Sequence, residues 1–309
     1  MYYIKAGKQQ VRITHPDNIL FPKSGITKKQ LVEYYYHIAP VIIPHMKNYP
    51  VTMQRFTGGI EAPGFFQKNI ADYFPDWIER VPIKKKDGTV INYVICNNQA
   101  TIVYLANQIC ITPHVWLSKI DKLNYPDKII FDLDPTTQDF MGVIKAAKLI
   151  KPILEQQLGL KTYVMTTGSR GLHITIPLKR AYTFDFTRKF AKDVGKVVAL
   201  LYPNLLTLEI RKEKRGNKIF VDYLRNAYAQ TGVSPYAVRA KEDAPIATPI
   251  DWKEVIPTLT PTKYTIKNIF RRLARKQDPW KNIQKEACSL KKPRKILDSI
   301  LKELGIHGR

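Results

Sequence analysis

The chain has 309 residues, 44% of them hydrophobic, and carries 50 Lys+Arg against 26 Asp+Glu, a formal net charge of +24. That is enough chain for one large or two small domains with a sizeable core. The charge excess points to a polyanionic partner, nucleic acid before an anionic membrane surface, and the lack of any run of 18 apolar residues excludes a transmembrane helix.

The N-terminus MYYIKAGKQQ lacks the apolar stretch of a signal peptide, and Cys96, Cys110 and Cys288 are too scattered for a zinc knuckle or a disulfide framework. A reduced, cytoplasmic setting is expected. Residues 1–28 read as polar and basic, with turns at THPDN and FPKSG. A helix is predicted over 28–43, closed by Pro40 and Pro44. PVTMQRF reads as a strand and TGGIEAPG as a loop. RVPIKKKDGTVINYVIC reads as a hairpin turning at Asp87-Gly88, and a helix follows over 98–110.

The middle of the chain is the most regular. KIIFDLD, KTYVMTT, LHITIPL and NKIFVDYL read as strands. Two amphipathic helices separate them, one capped at its end by Gly159 and one starting at Asp185. The order β-α-β-β-α-β is the split βαβ unit. LTLEI, residues 206–210, is expected to pair at an edge. IKNIFRRLARKQDPW and KKPRKILDSILKELG read as basic amphipathic helices that pack on the body.

The stretch FDLDP places Asp132 and Asp134 two apart on a strand, hence on one face, with Phe131 and Leu133 on the other. Paired carboxylates repel unless a cation lies between them, and oxygen donors favour Mg²⁺ or Mn²⁺. In the split βαβ sheet the first strand lies between the third and fourth. Asp222, in IFVDYLRN, would then face the pair, with His173 on the other flank. Three carboxylates can bridge two metals about 3.5–4 Å apart, as in phosphoryl transfer. TTGSRGLH offers turn N–H groups with Thr167, Ser169, Arg170 and His173. Arg225 and Arg239 add charge suited to a triphosphate, whereas His114, beside Trp116, is by itself a structural histidine. GFFQK sets Phe65 and Phe66 beside Lys68 in a loop, where one ring can stack on a base at about 1–3 kcal/mol. KKDG, residues 85–88, matches a ligase nucleophile motif, but Val90 stands where that motif has arginine; it is read as turn chemistry.

FDLDP, TTGSRGLHITIPL and VDYLRNAYAQTGVSPYAVRA closely resemble the polymerase domain of bacterial DNA ligase D, of the archaeo-eukaryotic primase superfamily. GITKKQLVEYY, GFFQKN, PHVWLSKID and APIATPIDWKEV follow the same pattern in the same order, over about residues 12–280. The resemblance implies an α+β fold: a primase-type core whose RRM-like, split βαβ sheet carries the metal site, plus an N-terminal α/β subdomain. The expected parts are residues 1–120, a catalytic core over 121–250 and basic helices over 251–309, integrated into one polymerase domain.

It also implies template-directed nucleotide addition to primer 3′ ends, ribonucleotides often preferred, for gap filling and end extension in double-strand break repair. The implied partners are DNA ends and gaps with a 5′-phosphate, NTP or dNTP, Ku and a DNA ligase, at the nucleoid and without a membrane. Asp132, Asp134 and Asp222 would bind two Mn²⁺ or Mg²⁺ ions. His114, Thr167, His173, Arg225 and Arg239 would contact the triphosphate, Phe65 or Phe66 would stack on DNA, and Lys28 would hold a 5′-phosphate. Thr167 stands for the family's usual serine, Arg170 for a frequent lysine, and Asn18 for a second phosphate-binding lysine. Two alternatives stay open: a D-x-D glycosyltransferase, which leaves Asp222 and the charge unexplained, and a non-catalytic DNA-end bridging module, which leaves the carboxylates unexplained.

Overall fold

The computed structural model describes residues 1–85 and 87–306. Two compact units are interleaved along the chain: residues 1–121, 231–248 and 262–278 form one, and residues 122–230, 249–261 and 279 onward form the other.

The first unit opens with two hairpins where only turns are expected from the sequence. β1 (Tyr2–Ala6) pairs with β2 (Gln9–Ile13), and β3 (Ile19–Phe21) pairs with β4 (Ile26–Thr27). Gly7 and Gly25 stand at φ +59° and +66°, values that favour glycine and allow both tight turns. The strands are short, and Tyr3, Lys5, Gln10 and Arg12 take the outer face opposite the buried Val11 and Ile13.

Helix α1 (Lys28–Met46) starts at a capping box, Thr27 with Gln30. It does not stop at Pro40 or Pro44 but runs through both. Pro40 has no N–H for the carbonyl of Tyr36, and the side-chain amide of Gln99 donates to that oxygen instead, at 2.8 Å. A contact distant in sequence thus replaces the missing bond and lets the helix continue.

The main sheet of this unit uses β5 (Pro50–Arg55), β6 (Phe65–Gln67), β7 (Arg80–Lys84), β8 (Val90–Ile95) and β9 (Cys110–Trp116). Its order is 231–233, β9, β5, β8, β7, with β6 also pairing to β5. The expected turn at Asp87-Gly88 joins β7 to β8, held by Thr89 N–H donating to Asp87; Lys86, within the KKDG stretch, lies outside the described residues. Helix α2 (Gln99–Asn107) is shorter than expected, because Ile109 takes φ +58° and turns the chain into β9. The segment 231–248 is strapped down by buried hydroxyls: Tyr34 donates to the carbonyl of Tyr236, and Thr112 to that of Val238.

The second unit is a split βαβ sheet. β10 (Lys128–Pro135), α3 (Phe140–Pro152), β11 (Tyr163–Thr166), β12 (Leu172–Pro177), α4 (Phe184–Leu201), β13 (Leu206–Thr207) and β14 (Ile219–Asp222) follow in sequence. Across the sheet they run β13-β14-β10-β12-β11, with 248–250 beyond β11. The first strand, β10, lies between the third and fourth, as expected. Asp139 caps α3, which continues through a wider turn and ends before Gly159 at φ +66°. Thr183, not Asp185, caps α4; Asp185 sits in the first turn, where its charge favours the helix dipole. LTLEI supplies only the two residues of β13, parallel to β14 at the edge. The two basic C-terminal segments form helices Ile269–Arg275, in the first unit, and Lys291–Glu303, in the second. Among the described residues no helix is long and apolar enough to cross a membrane.

Candidate active site

The register of the second unit's sheet sets Asp132 directly opposite Asp222 on β14 and His173 on β12. Residues opposite one another in an antiparallel pair point to the same face, and Asp134 joins them two residues along. Phe131 and Leu133 point the other way into the core, fully buried. So apolar burial on one face fixes the strand, and the strand then gathers the carboxylates on the other.

Arginines neutralise that face. Arg225 Nε donates to Asp132 Oδ2 at 2.7 Å and lies 3.5 Å from Asp222 Oδ2. His173 Nε2 stands 3.5 Å from Asp132 Oδ2, while its Nδ1 is buried with no hydrogen-bond partner. Burial alone would raise the Asp132 carboxyl, but His173 and Arg225 outweigh it and hold the group well below the usual carboxylate range. Asp222 shifts the other way: burial raises it, Arg225 opposes, and the Asp132 charge raises it again. Asp222 Oδ1 also accepts from the Leu224 N–H at 2.7 Å. Asp134 faces two further arginines, Arg170 at 3.1 Å and Arg215 at 3.6 Å. Each carboxylate is thus turned toward an arginine. Among the described residues, no three His, Cys, Asp or Glu side chains converge to hold a metal as they stand.

Two further residues build this face. Arg215 is buried, stacks 3.9 Å from the centre of the Phe220 ring, and donates to the carbonyls of Glu209 and Ile210. In KEKRGNK it reads as one more basic turn residue. Asn226, 1% exposed, donates to the carbonyl of Ile130 and accepts from its N–H, both at 2.8 Å. Its amide extends the β14 pairing by one step and seats Arg225 beside the carboxylates.

The TTGSRG turn is held by Thr167. Its hydroxyl accepts from the N–H groups of Ser169 and Gly171 and donates to the carbonyl of Gly171. That leaves Ser169 half-buried and Arg170 exposed. A Cβ on Gly171 would lie 2.2 Å from the carbonyl oxygen of Leu133, so only glycine fits against β10. Gly171→Ala is expected to push the turn off β10 and to cost about 1–3 kcal/mol, read as a lowered Tm. An unchanged Tm with an unchanged turn would show that the close approach carries no weight.

The remaining expected residues lie in the first unit. Phe65 and Phe66 sit on the strand β6, not in a loop, and are 44% and 57% exposed. Neighbours on a strand face opposite ways; both rings stay exposed because β6 is short and pairs on one side only. Arg55 organises this patch. It donates to Gln108 O at 2.8 Å, Gln67 Oε1 at 2.7 Å and the Tyr73 hydroxyl at 3.0 Å, and it lies over the Phe65 ring. Phe66 meets His114 edge-on at 5.4 Å, and Lys68 is exposed nearby. His114 is buried on β9, and Arg239 lies within the strapped segment, its N–H donating to Pro245 O. The expected triphosphate contact of His114 rests on the motif resemblance, and that of Arg239 on its charge as well. Lys28 is 3% exposed, and its ammonium donates to Thr14 Oγ1 at 3.1 Å. Burial lowers its pKa to about 8. Asn18 accepts from the Lys28 N–H through its backbone carbonyl.

Residues 27–280 match the family described as LigD, primase-polymerase domain. The chain belongs to this primase-polymerase family. Among its relatives is the bifunctional non-homologous end joining protein LigD of Bacillus subtilis, 32% identical over 286 residues, covering 91% of this chain and 46% of that protein. The multifunctional non-homologous end joining protein LigD of Mycolicibacterium smegmatis is 33% identical over 249 residues, covering 80% and 32%. The chain therefore spans less than half the length of these relatives. It is also similar to a solved structure, the polymerase domain from Mycobacterium tuberculosis ligase D in complex with DNA. The TM-score is 0.84 at 27% identity, over 91% of this chain and 100% of that one. The mixed α/β architecture and the split βαβ sheet are those of a LigD polymerase domain.

Proposed function

We propose that this chain adds nucleotides to primer 3′ ends in a metal-dependent, template-directed reaction, filling gaps and extending ends as DNA breaks are joined. The observation that supports this most is the register that sets Asp132 opposite Asp222, with Asp134 on the same face. The carboxylate donors suit hard divalent cations, and Arg225 already places a positive charge between two of them. Asp132, Asp134 and Asp222 would hold Mg²⁺ or Mn²⁺, which when bound lowers the pKa of an attacking hydroxyl and stabilises charge on phosphoryl oxygens.

The chain's own residues bind and orient. Arg225 and Arg170, both next to the carboxylates, are placed to turn toward triphosphate oxygens. Ser169, half-buried, lies on the turn that Thr167 holds. Phe65 and Phe66 offer flat apolar surface to bases, and the relative solved with DNA supports DNA as the partner. Ku and a ligase enter the reading through the family alone, and the family match leaves the glycosyltransferase alternative without support.

The test is primer extension on a gapped duplex with a 5′-phosphate, with Mn²⁺ or Mg²⁺ and with NTPs or dNTPs. Metal-dependent addition supports the reading and gives the sugar preference. Tight DNA binding with no addition under any condition would leave the bridging module standing.

Lys28 gives a prediction of its own. Its folded pKa of about 8 lies below the value in an unfolded chain. Between the two, the unfolded chain binds a proton that the folded one does not, so this group makes stability rise with pH from about 8 upward. Below that window its burial penalty is fully present. Lys28→Met is therefore expected to raise stability at pH 7 by roughly 1 kcal/mol, with the gain fading toward pH 10. The same change should abolish any preference for a 5′-phosphorylated gap, measured as the ratio of affinities with and without the phosphate. A retained preference would remove Lys28 from the phosphate contact.

A further inference from the structure

The first unit carries a cavity of about 430 Å³ lined by Lys263, Tyr264, Asn268, Arg271, Arg272, Arg275 and Lys276. Five of these residues are cationic and none is acidic. The stretch 262–276 holds six lysines and arginines and no acidic residue. Arg271 and Arg275 are four apart on the helix Ile269–Arg275, and so repel one another across one helix face. A chain accepts that cost on a surface that meets an anion.

The walls are built rather than draped. Ile269 is buried, and Phe270 rests against Tyr34 and His37 of α1 at 5.9 and 6.2 Å. Asn268 accepts from Thr265 N–H at 2.9 Å and donates to Lys263 O at 3.0 Å, which fixes the turn before the helix. Arg272 donates to the Tyr264 hydroxyl at 2.9 Å and stacks 4.7 Å from the ring centre, so its guanidinium is held in place. Lys263 lies over the same ring. A fixed arginine on an aromatic ring, with four further cations around it, suits phosphodiesters spaced along a backbone.

We infer that this cavity is a second nucleic-acid contact, which grips the sugar-phosphate backbone of duplex DNA without reading its sequence. The inference rests on the proposed action on DNA and adds a surface that takes no part in the chemistry. Arg271 and Arg275 are exposed, so their replacement removes charge and little packing.

The experiment uses the full chain and the double variant Arg271→Ala/Arg275→Ala. Lys145→Ala/Lys148→Ala, on α3, is the control for loss of the same charge elsewhere. Duplex affinity is measured against salt concentration, and primer extension at saturating DNA is measured beside it. Losing two phosphate contacts should flatten the slope of log K against log salt by about 1.8 and weaken binding at least about tenfold near 0.1 M salt. Extension at saturating DNA should stay within about twofold of wild type. A slope and affinity no different from those of the control variant would overturn the inference while leaving the polymerase reading intact. So would a variant that loses polyglutamate binding but not DNA binding, which would reassign the cavity to an acidic protein. A wild-type chain that binds no duplex would remove both readings together.

Discussion

Asp132→Asn is expected to lower primer extension by more than about 10³-fold while duplex affinity stays within about threefold. The change keeps the size of the side chain and removes one negative charge. Asp132 stands at the middle of this face: it lies opposite Asp222, opposite His173, and 2.7 Å from Arg225 Nε. A 10³-fold loss corresponds to about 4 kcal/mol of transition-state stabilisation, within the range for removing a group that handles charge at a reacting phosphate. Single-turnover extension with saturating DNA and nucleotide measures it, beside a binding titration of the same duplex. Extension within tenfold of wild type would mean that these carboxylates do not carry the chemistry. A parallel loss of DNA affinity would mean that Asp132 shapes the binding surface instead.

Arg225→Ala is expected to destabilise the metal-free protein by about 2–3 kcal/mol at pH 7. Asp132 and Asp222 would then face one another on adjacent strands, partly buried, with His173 beside Asp132 and no arginine between them. Solvent screens part of this charge, since the Arg225 side chain is itself 39% exposed. The pH dependence follows from the two carboxylates. The folded pKa of Asp132 is depressed, so its contribution is present above the unfolded carboxylate range and is lost as pH falls through that range and below it. Asp222 is raised, so its charge opposes folding increasingly as pH climbs out of the carboxylate range. Removing Arg225 weakens the first effect and strengthens the second. The gap in Tm between wild type and variant should therefore be widest near neutral pH and should narrow toward pH 4. Added Mn²⁺ should raise the Tm of the variant by more than it raises that of wild type, because the arginine no longer competes for the carboxylates. A gap independent of pH, or equal shifts with Mn²⁺, would show that Arg225 does not act as the counter-charge between them.

What the sequence determined by itself is local and periodic. Alternation in KIIFDLD, with Phe131 and Leu133 demanding burial, fixed the face on which Asp132 and Asp134 stand. The β-α-β-β-α-β order fixed the place of β10 between β12 and β14, since so few sheet orders satisfy that pattern. From those two facts the juxtaposition of Asp132, Asp222 and His173 was legible before any coordinate. Motif order carried the family as well.

The tertiary structure decided whatever depends on partners distant in sequence. The continuation of α1 through Pro40 needs Gln99, which lies 63 positions from the carbonyl it satisfies. Segments 231–248 and 262–278 join residues 1–121 through buried hydroxyls and apolar contacts that leave no periodic trace. The short N-terminal hairpins, the strand under Phe65 and Phe66, and the cavity around Arg272 are of the same kind. The site's electrostatics belong here too. Periodicity places a carboxylate on a face, but Arg225, Arg170 and Arg215 reach that face from three separate loops. A loop's path is set by bonds such as those of Asn226 to Ile130, not by a repeat in the chain.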